Sequence, residues 1–244
     1  MNLHTNEVAY TAKGVPLRGF VAWDEGRQGK RPGVLVVHEW WGHDEYVRGR
    51  ARQLAGLGYA ALAVDMYGTG KVAKTPQEAG NLMTAVTSDL ATMRARFEAA
   101  RDVLVEQAPA DAQRLAAIGY CFGGAVVLQM ARLGLELRAV ASFHPGSLAP
   151  AQPAKRDTYK ARTLVCLGAD DPFVPAEQRA DFRQEMQSAG VACELVEYPG
   201  VVHGFTVEAA TARGKTYGLP LAYDAQADGD SWRRLVRLLE SALA

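Results

Sequence analysis

The stretch that decides the fold is Leu115-Ala116-Ala117-Ile118-Gly119-Tyr120-Cys121-Phe122-Gly123-Gly124. An apolar run leads into it, and an apolar helical run from Ala125 to Leu133 follows. That order reads as strand, sharp turn, helix, with a nucleophilic side chain at the apex. The apex residue must take a strained backbone conformation, so its flanks must be small. Gly119 and Gly123 meet that demand. The Cys121 sulfur is then held above the strand end, near the amino end of a helix whose dipole favours a thiolate. The Phe122 N–H would point at an oxyanion formed on a substrate. A small buried cysteine at an ordinary strand-to-helix junction is the bland alternative, and the rest of the chain argues against it.

Working outward, the pattern repeats. Glu7 to Tyr10 alternates, Lys13-Gly14 supplies a turn, and Val15 to Trp23 returns as a hairpin. Gly33 to Val37 is an unbroken apolar run, suited to a strand buried on both faces of a largely parallel sheet. A helix is expected over 46–57, a strand over 59–64, and two helical pieces over 76–107. Further strands are expected over 139–143, 163–167 and 192–198. Helices are expected over 175–189 and over 231–244, the last with Ser231 as N-cap. Strands alternating with helices imply an α/β protein, a mostly parallel doubly wound sheet with helices on both faces. The absence of any Ser/Gly/Pro-rich linker favours a single domain over 1–244. The excursion 145–160 reads as a surface loop, with a lid as the alternative.

Bulk properties narrow the function. The chain has 27 basic and 27 acidic residues, a formal charge of zero, and no basic block, so neither nucleic acid nor an anionic membrane is an expected partner. No apolar run approaches a membrane span, and the amino terminus does not read as a signal peptide. Three cysteines is an odd count without metal-type spacing. Cys166 and Cys193 read as small buried side chains, and a cytoplasmic setting fits. A small-molecule substrate and a monomer or small homo-oligomer are expected.

In sheets of this kind the site lies beyond the carboxyl ends of the strands. There the chain places Glu39-Trp40-Trp41, Asp65-Met66-Tyr67, Cys121-Phe122, His144, Asp170-Asp171 and His203-Gly204-Phe205. A cysteine attacking a carbonyl needs a base, a group to orient the base, and oxyanion donors. The candidate bases are His4, His38, His43, His144 and His203. His4 lies in an amino end expected to be flexible. The α/β-hydrolase order of nucleophile, acid, histidine selects Cys121, Asp171 and His203. Asp170 is the competing acid; Pro172 restricts Asp171 to an extended conformation and favours it. The loop after 34–37 supplies the second oxyanion donor, Trp40 N–H. Glu39 ends that strand. A carboxylate there would raise the thiol pKa, holding the thiol neutral until substrate arrives, or take its proton. His38, Glu39 and His43 do not make H-E-x-x-H, so no zinc is assigned.

The chain resembles the dienelactone hydrolase family of α/β-hydrolases. The residues that carry the resemblance are Gly119-Tyr120-Cys121-Phe122-Gly123-Gly124, His38-Glu39-Trp40-Trp41-Gly42, Gly168-Ala169-Asp170-Asp171-Pro172 and His203-Gly204-Phe205. The resemblance implies the α/β-hydrolase fold and an ester or lactone hydrolase with no metal or organic cofactor. It also implies that Glu39 gates the thiol. One departure is visible. Family members acting on dienelactone carry an arginine shortly after the histidine; here the stretch is Gly204-Phe205-Thr206-Val207, with Arg213 the nearest. Trp40, Trp41, Tyr67 and Phe173 suggest an apolar pocket, with Trp41, Tyr67, Phe173 and Phe205 as substrate-binding candidates. The alternatives are a general carboxylesterase or thioesterase with the same triad, a non-catalytic small-molecule binding protein on a hydrolase scaffold, and a redox sensor built on Cys121.

Overall fold

The computed structural model describes residues 2–244. Among them eight strands form a sheet of order β1-β2-β4-β3-β5-β6-β7-β8, and seven helices connect or flank them. The chain divides into two compact units, Met1–Ala117 and Ile118–Ala244.

The first unit opens with β1 (Leu3–Ala12) and β2 (Val15–Asp24), an antiparallel hairpin in which Ala12 faces Val15. Lys13 and Gly14 both have positive φ, 48° and 74°, the twist a two-residue hairpin turn needs. His4 sits inside β1, its ring stacked on Trp23 and its Nδ1 2.8 Å from Glu25 Oε1. The expectation of a loose amino end is thereby corrected: strand pairing orders it. β2 runs antiparallel to β4 (Ala60–Val64), which lies parallel to β3 (Arg31–Val37). Val34 to Val37 and Ala60 to Val64 are fully buried, which explains their unbroken apolar runs. Helix α1 (Glu45–Gly56) is capped by the Asp44 carboxylate, and α2 (Pro76–Thr87) by Thr75 with Pro76 at its first position. Helix α3 (Leu90–Gln107) is capped by Asp89.

β5 (Ala110–Tyr120) runs from the first unit into the second and is longer than its apolar run suggested. The second unit holds α4 (Phe122–Arg132) and three parallel strands, β6 (Ala139–Phe143), β7 (Arg162–Gly168) and β8 (Cys193–Tyr198). Its remaining helices are α5 (Ala176–Ala189), α6 (Ala210–Tyr217) and α7 (Ala225–Ala242). The last helix starts earlier than expected. Asp224 caps it, accepting from Ala227 N–H, while Ser231 lies inside it and donates to the Asp228 carbonyl. Helix α6 was not anticipated, because its eight residues carry no apolar stripe. Cys166 is buried, but Cys193 is only partly so: it stands at the start of β8, whose residues are largely half-buried.

Residues 145–160 carry no helix or strand. They are nevertheless pinned. Leu148 O accepts from the buried Arg132 guanidinium, Ala151 N–H donates to Gln129, Leu148 N–H to Gln178, and Ala154 N–H to Glu185.

Candidate active site

β5 ends at Tyr120 and α4 begins at Phe122, so Cys121 alone makes the turn. Its φ of 52° and ψ of −113° lie outside the regions L-residues favour, a strain of about 1–3 kcal/mol that surrounding structure must support. The support is visible. Cys121 N–H donates to Phe143 O at 3.0 Å, and its carbonyl accepts from Gly124 N–H at 3.0 Å and Gly146 N–H at 3.1 Å. A Cβ on Gly119 would stand 2.0 Å from Gly123 O, and one on Gly124 would stand 2.6 Å from Ser142 Oγ. Only glycine leaves the strand and helix this close. The cysteine is 8% exposed. Phe122 opens α4, so its N–H belongs to the turn whose amides point out of the helix end.

His203 follows β8 in a loop with Gly200 and Gly204 at φ of 74° and 75°. Its Nδ1 lies 2.7 Å from Asp171 Oδ2, and Asp171 Oδ1 accepts from Phe173 N–H at 2.9 Å. Both side chains are buried. The bond goes to Asp171, whereas Asp170 is exposed. Burial opposes the His203 imidazolium. The charge and hydrogen bonding of Cys121 and Asp171 outweigh that and push His203 up to about 10. With Nδ1 occupied by Asp171, the bond to Cys121 falls to Nε2. The raised value means the ring is charged between about pH 6.5 and 10, where an ordinary histidine is neutral. The NMR resonance of the His203 Cε1 proton should therefore keep its imidazolium position at pH 8 and move only toward pH 10. Titration near pH 6.5 would contradict the charge balance described.

Three rings surround this imidazole or back it. Phe173, 42% exposed, stands edge-on with centroids 4.9 Å apart. The fully buried His144 stands edge-on at 5.1 Å. Phe205 is fully buried and packs edge-on against His144 and Tyr198.

In the first unit, Glu39, Trp40 and Trp41 follow β3. Glu39 is 7% exposed. His38 Nδ1 lies 2.5 Å from Glu39 O, and its Nε2 accepts from Met66 N–H at 3.2 Å. That assigns the ring proton to Nδ1. Burial is the main reason His38 is pushed down to about 4, which keeps it neutral. Tyr67 Oη donates to Trp40 O at 3.0 Å. With Glu39 O pinned, the planar trans peptide aims Trp40 N–H the opposite way. Trp41 packs in a small cluster with Ala73 and Ala79, and Trp40 rests against it. Asp65 accepts from four backbone N–H groups, of Arg18, Tyr67, Gly68 and Gly70, and so orders the loop after β4. His43 Nε2 lies 3.0 Å from Ala63 O. Among the described residues no group of three His, Cys, Asp or Glu is placed to hold a metal ion, and no helix is long and apolar enough to cross a membrane.

Sequence reading gave Thr206 no role and left His144 as one of several possible bases. Nothing adjacent in the chain links residues 144 and 206; only the strand order brings them together.

The sequence profile of the dienelactone hydrolase family matches residues 17–243. A solved structure designated m3DLH is 37% identical over all of both chains, with a TM-score of 0.92. A structure described as a dienelactone hydrolase-like promiscuous phosphotriesterase, P91, from metagenomic libraries is 34% identical over all of both chains, with a TM-score of 0.90. Protein usf of Aquifex pyrophilus is 29% identical over 206 residues, 82% of this chain and 87% of that protein.

Proposed function

This chain belongs to the dienelactone hydrolase family, and from that premise we propose that its ester- or lactone-hydrolysing chemistry runs through Cys121 as nucleophile, His203 as proton carrier and Asp171 as the group that orients His203. The observation that carries this reading is the buried 2.7 Å bond between His203 and Asp171, with Cys121 acting on the same ring. The thiol proton rests on His203 Nε2. The sulfur attacks the substrate carbonyl, and the oxyanion is held by Phe122 N–H, with Trp40 N–H as the second donor. The carbon–oxygen bond then breaks, and His203 Nε2–H protonates the leaving alkoxide. Acylation removes the negative charge from sulfur, and with it one of the influences that raised His203. The neutral imidazole is then ready to take a proton from water, whose oxygen attacks the thioester. The thiolate departs and the acid is released. Glu39 has the gating role: its negative charge opposes that on the sulfur until substrate binds.

Phe173, half open beside His203, is a substrate-binding residue on this reading, as are Trp41 and Tyr67, while Phe205 packs behind His144. No arginine follows His203 closely, so an apolar acyl group is favoured over a carboxylate-bearing lactone. The three cysteines are unpaired, which suits a reducing cytoplasm. Intact mass after treatment with an acyl-forming inhibitor should show a single adduct that maps to Cys121. Hydrolysis that persists with Cys121 unmodified and the inhibitor saturating would sink the assignment. A panel of simple esters, thioesters and lactones then ranks the substrate classes, with apolar esters expected to lead.

A further inference from the structure

His203 is held at its two ring nitrogens, by the Nδ1 bond to Asp171 and by the bond to Cys121. A histidine χ2 is broad, with no sharp rotamer well. Bonds at the edge of the ring leave its tilt soft, and a tilt would misalign Nε2 with the sulfur. A rigid contact beside the ring limits that tilt. Phe173 is 42% exposed and offers only a solvent-side contact, whereas His144 is fully buried and edge-on to His203 at 5.1 Å and 73°.

His144 is itself held from several sides. Its backbone N–H donates to Cys166 O at 2.7 Å, and its Nε2 lies 2.7 Å from Thr206 Oγ1, three residues beyond His203. Its φ of 35° is unusual for a residue with a side chain. The neighbours on either side explain why the chain turns there. Phe143 O accepts from Cys121 N–H, and Gly146 N–H donates to Cys121 O. The segment 143–146 thus grips the nucleophile's backbone while the His144 ring packs on the base and ties to the base's own loop.

We propose that His144 is a positioning residue, an inference that rests on the catalytic reading above: anchored by Thr206 and set edge-on to His203, its ring fixes the plane in which His203 Nε2 meets the Cys121 sulfur. In this role it acts through His203.

The test uses the full-length protein and an activated ester such as p-nitrophenyl butyrate. Thr206→Val removes the hydroxyl at nearly constant shape and leaves residue 144 untouched. The kcat should fall about tenfold, the scale of one lost hydrogen bond, with KM within twofold of the parent. Thr206→Ser should restore kcat to within twofold. His144→Phe keeps an edge-on ring but loses the nitrogen, and should lower kcat as Thr206→Val does; it carries the comparison if Thr206→Val fails to fold. All rates are taken well below each variant's Tm, so a purely structural role would lower Tm and leave kcat alone. Equal kcat for the valine and serine variants, or a change confined to KM, overturns the inference. Cys121→Ala is run alongside: retained turnover there removes the catalytic reading itself. A dead Cys121→Ala beside an unaffected Thr206→Val removes only the role of His144.

Discussion

Cys121→Ala is expected to lose essentially all turnover, on the order of 10⁴-fold or more in kcat, as loss of a covalent nucleophile does elsewhere. The alanine fits the same turn at lower volume, and the backbone bonds at residue 121 do not involve the side chain. Folding should therefore survive, and Tm should stay near the parent value. The strained φ remains a cost in both proteins, so it cancels in the comparison. A steady-state assay on an activated ester, paired with a thermal melt, reads both quantities. The result separates an enzyme from a binding protein on the same scaffold. Activity within tenfold of the parent would falsify the role of the sulfur.

Asp171→Asn is expected to lower kcat by about 10³ to 10⁴, the loss seen when an orienting carboxylate becomes an amide. The substitution keeps an oxygen for the Phe173 N–H, so the turn after β7 should hold. What changes is charge and proton direction. The carboxylate accepts from His203 Nδ1–H and helps hold the ring charged up to about pH 10. An amide that presents its NH2 instead forces the neutral tautomer with the proton on Nε2, and no lone pair then faces the sulfur. The sign of the pH effect follows. Without the carboxylate the His203 pKa falls, so the limb of the kcat–pH profile governed by that ring shifts to lower pH. A kcat–pH series on both proteins measures it. A variant within threefold of the parent, with an unmoved profile, would transfer the orienting role away from Asp171.

Much of this was legible in the chain because the signals are local. The two-residue turn Lys13-Gly14, the apolar runs 34–37 and 60–64, and the glycines flanking Cys121 each encode their geometry within a few residues. The cap of α7 was misread because Ser231 has the right chemistry, but Asp224 offers the same chemistry seven positions earlier. Helix α6 was missed because a short helix held by tertiary contacts carries little periodicity. Cys193 was placed too deep, because an apolar run does not say that its strand will be only half-buried.

The sequence by itself determined the order of strands and helices, the strained turn at Cys121 and the candidate set of acid and base, since backbone propensity and glycine sterics act between neighbours. Tertiary structure brought Asp171, which the sequence favoured over Asp170, to His203, and it alone decided that Phe205 is fully buried and that His144 and Thr206 meet behind the imidazole. Those outcomes depend on which strand ends lie side by side and which carboxylate loses its water, and both are consequences of long-range packing.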